Sequence, residues 1–191
     1  MIAAIVLTGG KSERMGRPKA LLRFREQTFL ERILAAIKGA GIDQTTVVVG
    51  HHRDEIGRAY PEMPLVFNPD YNQGMSTSVK AGLNALPPGI RGVGIFLVDH
   101  PVIDAPTITL LAGQLRPGHL VLPSHEGRRG HPLFVAGELF GEILALGPEE
   151  GLNTVVRRDA GRVITVPVPN PGVLQDIDTP EQFEILLHGS E

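Results

Sequence analysis

The sequence predicts an α/β protein: a mostly parallel sheet with helices on both faces, in three layers. Three observations carry this reading. Ile2–Leu7 and Val93–Val98 are short runs without a single polar or charged side chain, as expected of strands buried on both faces. Segments with helical spacing of apolar residues alternate with these runs along the whole chain. Caps and breakers fall at the ends of the helical segments.

In chain order, Ile2–Leu7 is the first strand. Thr28-Phe29-Leu30-Glu31 is a capping-box pattern, opening a helix with Phe29, Leu30, Ile33, Leu34 and Ile37 on one stripe and Gly39 and Gly41 at its end. Thr45–Val49 is the second strand, with a short helical stretch at His52–Tyr60. Leu65–Phe67 is the third, and Asn68–Gly74 a polar loop. Ser76–Leu86 reads as a helix with Val79, Leu83 and Leu86 inward, stopped by Pro87-Pro88-Gly89. Val93–Val98 is a central strand. Helix Pro106–Leu115, strand Leu120–Leu122, helix Ala136–Leu146, a short helix at Leu152–Arg158 and strand Val163–Val166 follow. Thr179-Pro180-Glu181 caps a last helix carrying Phe183, Ile185, Leu186 and Leu187.

At 191 residues the chain is expected to form one domain over 1–191, two small domains being the alternative. A net charge of -3 excludes the basic footprint of a nucleic-acid partner. There is no cysteine, hence no disulfide framework or thiolate metal site. No run approaches membrane-spanning length, and the apolar start lacks the basic residues of a signal peptide, so a cytoplasmic location without a membrane partner is expected.

In a parallel sheet, ligands sit beyond the carboxyl ends of the strands. The informative loops are then 8–19, 68–75, 99–104 and 123–132. Thr8-Gly9-Gly10-Lys11-Ser12-Glu13-Arg14-Met15-Gly16-Arg17-Pro18-Lys19 combines bare backbone amides with cations. Gly9 and Gly10 let N–H groups close around an anion, Arg14 offers a planar fork and Lys19 a movable point charge. The spacing is neither that of a P-loop nor G-x-G-x-x-G. A basic surface loop is the plain reading; a nucleoside triphosphate seat is the sharper one.

Asp99 ends the Val93–Val98 strand and is followed by His100-Pro101; there a carboxylate is either a metal ligand or a turn residue. Asn68–Leu83 brings a polar loop into a helix through Ser76, Thr77 and Ser78, whose hydroxyls suit a base edge or an anion as well as capping. Gly127-Arg128-Arg129-Gly130-His131-Pro132 is a cationic loop suited to an anionic acceptor, or a solvated turn. Asp176 and Asp178 stand before the last helix, where either could join Asp99 around a metal while Asp178 or Thr179 caps the helix. Adjacent His51 and His52 at a strand end point opposite ways and read as a solvated loop.

The run L-T-G-G-K-S-E-R-M-G-R-P-K resembles the L-A-G-G-x-S-x-R-M-G-x-P-K signature of nucleotidyltransferases of the molybdenum cofactor and sugar-nucleotide type, the MobA-like NTP transferases. The G-M-S-T-S-V-K-A-G-L and G-x-x-G-H-P runs resemble those of molybdenum cofactor cytidylyltransferases, and D-I-D-T-P-E is similar to that family's late acidic run. V-D-H-P departs from the family's G-D-Q-P. The resemblance implies a three-layer Rossmann-like nucleotidyltransferase fold and a Mg²⁺ cofactor. It implies catalytic roles for Lys19, Arg14 and Asp99, and metal binding by Asp99 with Asp178 or Asp176. Leu7, Thr8, Gly9, Gly10, Asn68, Gly74, Ser76 and Ser78 would hold the nucleotide, and Arg129 and His131 the acceptor. The implied reaction is transfer of CMP from CTP to the phosphate of the pterin (molybdopterin) cofactor, with pyrophosphate released. Transfer from GTP, or to a sugar phosphate or small alcohol, is the alternative. A transient handover to a molybdoenzyme or its chaperone follows from the same resemblance.

Overall fold

In the computed structural model, which describes residues 1–147 and 150–189, the chain opens with β1 (Ile2–Leu7), β2 (Arg23–Phe24) and β3 (Gln27–Thr28). It continues through α1 (Phe29–Gly39), β4 (Thr45–Val49), α2 (Arg53–Ala59), β5 (Leu65–Phe67), α3 (Met75–Asn84), β6 (Gly92–Leu97) and α4 (Ala105–Gly113). The last part comprises β7 (Leu120–His125), β8 (Arg128–Arg129), β9 (Leu133–Ala136), α5 (Phe140–Leu144), α6 (Leu152–Arg158), β10 (Val163–Pro167) and α7 (Pro180–His188).

Seven strands lie side by side in the order β10-β7-β9-β6-β1-β4-β5, with β8 on β7, while β2 and β3 form a separate small hairpin. β1 pairs in parallel with β4 and β6, β4 with β5, and β7 with β10; β9 runs against its neighbours β6 and β7, and the short β8 against β7. Strand side chains alternate between the two faces, so each strand feeds two cores. Ala4, Val6, Val47, Val49, Phe96 and Phe134 face one core, with Phe29 and Ile33 of α1, Ile108 of α4 and Phe183 of α7. Ile5, Leu7, Val48, Ile95, Leu133 and Val135 face the other, with Val79 and Leu83 of α3, Ile143 of α5 and Val155 of α6. The expected three-layer α/β/α arrangement with a mostly parallel sheet is what forms.

Helix starts follow the sequence closely. The Thr28 hydroxyl accepts from the Glu31 N–H at 3.1 Å, and the Glu31 carboxylate accepts from the Thr28 N–H at 2.7 Å. α7 repeats this box with Thr179 and Gln182. Thr179 is therefore the cap, which releases Asp178 from that task.

Two expectations need correction. Ala136–Leu146 is not one helix: Ala136 ends β9, a helical turn occupies Gly137–Leu139, and α5 is only Phe140–Leu144. Leu133–Ala136 is inserted between β6 and β7 and fully buried, so it carries no alternation to mark it as a strand. Nor is 123–132 an open loop. β7 continues to His125, turns through Glu126 and Gly127 (φ 50° and 78°), and returns as β8. Positive φ at both central residues is the two-residue turn that suits a twisted hairpin.

α3 lies close enough on β1 that Gly82 has no room for a side chain. A β-carbon there would stand 2.7 Å from Cγ2 of the fully buried Ile5. Gly82→Val should therefore overpack this interface by about 1–3 kcal/mol and lower Tm by roughly 2–12 °C. Calorimetry reads the shift, and an unchanged Tm would refute the close packing.

Candidate active site

The sheet order reverses at β1. β4 and β5 extend from one side of it, and β6 begins the other. Parallel pairing of Leu7 with Leu97 brings the chain out of β1 and β6 at the same edge, so the 8–19 loop and Asp99 emerge side by side. A cleft of about 570 Å³ opens there, within the size range of small-molecule sites. The 8–19 loop forms one wall, Tyr71–Ser78 another, and Asp99 and Asp178 lie at its far side.

The first wall is rich in unused donors. Among the described residues, no protein acceptor takes the backbone N–H of Gly9, Gly10, Lys11 or Ser12. Ser12 adopts a left-handed conformation (φ 51°), and its carbonyl receives the N–H groups of Met15 and Gly16. The loop thus curls on itself and leaves its leading amides open, the arrangement of an anion nest. A β-carbon at Gly10 would touch no protein atom, so nothing in the protein's own packing demands glycine there. Thr8 is different: its hydroxyl donates to the Val48 carbonyl at 2.8 Å and ties the loop's root to β4.

Four charged groups meet across this wall. Lys19 Nζ lies 3.4 Å from Asp99 Oδ2 and also donates to Asp178 Oδ1, while Arg14 Nη2 reaches Asp178 Oδ2 at 3.0 Å. The Lys19 side chain is only 12% exposed, whereas that of Arg14 is 68% exposed. The Lys19 hydrogen bond holds the Asp178 carboxyl below the usual range, with Arg14 adding to it against the opposing cost of burial. Asp99 and Asp178 therefore converge on one cation. Asp99 Oδ1 is buried and has no hydrogen-bond partner, a lone pair that a divalent ion could use. Among the described residues no set of three His, Cys, Asp or Glu side chains is placed to hold a metal. Two carboxylates completed by phosphate oxygens and water are a donor set that suits Mg²⁺. Asp176 is exposed and does not line the cleft, although its charge is felt at His131; Asp178 is the late carboxylate that lines the cleft and shares Lys19 with Asp99.

On the second wall, Ser78 and Gly74 line the cleft, while Asn68 and Ser76 lie behind it. Asn68 is 3% exposed, and its amide donates to both Thr77 Oγ1 and Ser78 Oγ at 2.9 Å. Because Ser78 Oγ accepts there, its own O–H stays available as a donor. Asn68 thus aims Ser78, and Ser76 is packed beneath. Leu7, Thr8, Gly9 and Gly10 all border the cleft.

The 127–132 segment is arranged otherwise than its sequence suggested. Arg128 and Arg129 are exposed on the ordered β8 hairpin, away from the cleft. His131 is tucked in, its ring 5.1 Å from that of His100, which follows Asp99. Burial, with the neighbouring His100, pushes His131 down to about 4 despite Asp99 and Asp176, so the ring is neutral near pH 7. Both His100 and His131 have a buried, unpartnered Nδ1.

His52 and Tyr71 also border the cleft; His52, expected in a solvated loop with its ring turned away from that of His51, is instead held by both ring nitrogens with its ring 4.7 Å from that of His51. The available signal was position: residues 50–53 follow β4 at the same edge of the sheet, as the other site loops follow their strands.

Residues 4–163 match the family profile described as the MobA-like NTP transferase domain. The chain is 30% identical over 194 aligned residues to molybdenum cofactor cytidylyltransferase of Escherichia coli (strain K12), covering 95% of this chain and 93% of the relative. It is 29% identical to a probable molybdenum cofactor guanylyltransferase of Opitutus terrae, over 82% of this chain and 71% of that one. Among solved structures, a homolog of Rv0371c from Mycobacterium sp. strain JC1 superposes with a TM-score of 0.84 at 26% identity, covering 98% of this chain and 96% of that chain. With the domain matched along most of its length and the fold shared throughout, the chain belongs to the MobA-like NTP transferase family and is a nucleotidyltransferase.

Proposed function

We propose that this protein transfers CMP from CTP to the terminal phosphate of the molybdopterin cofactor, with Mg²⁺, releasing pyrophosphate. The observation that carries the reaction type is the grouping of Lys19, Asp99 and Asp178 beside a loop of unused amides. Similarity to the E. coli cytidylyltransferase over nearly the whole chain supports the choice of base and acceptor.

An acceptor phosphate is already anionic, so the protein need supply neither a covalent nucleophile nor a strong base. Its task is to align two anions and lower their repulsion. The open amides of Gly9 to Ser12 and the Arg14 guanidinium receive the β- and γ-phosphates, which leave together. Lys19 stands nearest the attacked α-phosphate. Asp99 and Asp178 would hold the metal, which would supply positive charge against that gathering on the phosphate oxygens. Lys19 then turns from the carboxylates to the phosphate, staying within a shell of opposite charge. Ser78, aimed by Asn68, offers its O–H to the base. Neutral His131 faces the acceptor side as a hydrogen-bonding group, not as a charge. The cytidylylated cofactor, with the new phosphoanhydride bond in place of the α–β bond of CTP, would pass on to a molybdoenzyme or its chaperone.

Similarity to guanylyltransferases supports a second reading with GTP as donor. A panel of CTP, GTP, ATP and UTP with molybdopterin cofactor and Mg²⁺, scored by pyrophosphate release, separates them: CTP should lead clearly, and a GTP preference would transfer the assignment to the second reading. Lys19→Ala should lower turnover by about a hundredfold or more with an unchanged fold by circular dichroism; near-normal turnover removes Lys19 from the chemistry. The two late carboxylates should separate in the same assay. Asp178→Asn is expected to cost roughly a hundredfold, and Asp176→Asn, on the exposed residue, less than about twofold.

A further inference from the structure

The loop after β4 touches the 8–19 loop at two points. The His51 N–H lies 3.5 Å from the Gly9 carbonyl, a long contact. His52 makes the firm one: its Nε2 is 2.8 Å from the Lys11 carbonyl oxygen. A carbonyl oxygen can only accept, so Nε2 carries the proton and donates. The other ring nitrogen, Nδ1, is 2.8 Å from Glu55 Oε1 on the first turn of α2, which fixes the plane of the ring. The His52 side chain is 13% exposed although Glu55 is about half exposed, so the ring is held between two elements and does not wave in solvent.

We infer that His52 is a positioning residue for nucleotide binding: it holds the peptide between Lys11 and Ser12 in the orientation that presents the Ser12 amide to phosphate. In a trans peptide the carbonyl and the following N–H point in opposite directions. Fixing the Lys11 oxygen on His52 therefore fixes where the Ser12 N–H points, and that N–H has no acceptor among the described residues. The constraint matters here because Ser12 is a non-glycine residue in a left-handed conformation, which by itself costs free energy and favours relaxation. Neither Gly9 nor Gly10 has a side chain to resist such a relaxation. Without the latch the loop loses one of its few contacts outside itself, and its amides must be ordered by the ligand at the ligand's expense. Glu55 acts one step further back, by orienting His52. The inference rests on the reading of the 8–19 loop as the phosphate seat.

Calorimetric titration of the full chain with CTP, and separately with inorganic pyrophosphate, both with Mg²⁺, tests it. His52→Ala should weaken both ligands by roughly three- to tenfold, the loss of one hydrogen bond, with Tm unchanged. In turnover assays KM for CTP should rise while kcat at saturation changes little. His52→Gln, which keeps an N–H donor, should restore most of the affinity, and His52→Phe, which keeps a ring without a donor, should not. Glu55→Ala should weaken binding in the wild-type background and have no further effect in His52→Ala. Wild-type affinity in His52→Ala, equal losses in the Gln and Phe variants, or additive losses with Glu55→Ala would each overturn the inference. Failure of the wild-type protein to bind either ligand would instead overturn the phosphate seat itself and the latch with it.

Discussion

The parallel pairing of β1 with β6, in register from Ile2–Gly92 to Leu7–Leu97, is the constraint on which the site depends. It places two chain segments 90 residues apart at one edge of the sheet, with the strand order reversing between them. The double-glycine loop and Asp99 are neighbours for that reason alone. The pairing is held from both sides: Val6 and Phe96 enter one core, Ile5 and Ile95 the other. A slip of one residue would exchange those faces and move Asp99 along the edge by about 3.3 Å. That is comparable to the 3.4 Å separating Lys19 from Asp99. Packing across the whole sheet thus sets a distance on which the charged cluster relies.

The same economy governs the polar residues. Several that border the cleft are aimed by a partner behind them: Ser78 by Asn68, and the Lys11 peptide by His52. Asp178 reaches the cluster because Thr179 and Gln182 complete the helix cap without it, and because the Asp178 N–H is itself held by Gln182 Oε1 at 2.7 Å. The first two supports each leave one functional atom unused, a hydroxyl proton and an amide, while the third delivers both Asp178 oxygens to Lys19 and Arg14. The unpartnered Oδ1 of Asp99 belongs to the same pattern.

Most of this architecture could be read from the residues. The strand Ile2–Leu7, the capping boxes at Thr28 and Thr179, and the position of Asp99 after an apolar run are all local signals, and they hold. What escaped depends on contacts distant in sequence. Leu133–Ala136 became a strand because β6 and β7 enclose it; its own residues lack any period. Arg128 and Arg129 look like a binding loop by composition, but hairpin pairing turns them outward. Asp176 and Asp178 share chemistry and near-identical neighbours, and only the reach of Lys19 and Arg14 across the fold separates them. His52 was hidden for the same reason, its partner being the carbonyl of a residue 41 positions earlier.

β9, the reversed strand, shortens the connection that follows β7. A parallel strand in its place would need a crossover carrying the chain from one edge of the sheet to the other. Because β9 runs the opposite way, the chain leaves β7 and enters β9 at the same edge, with only residues 126–132 between. Its exposed tip, residues 126–129, can lengthen or shorten without shifting any strand of the β6-β1-β4-β5 half, while Gly130 and His131 stay tied to Pro123 and Val173. The tip is in this sense a replaceable part of an otherwise fixed sheet.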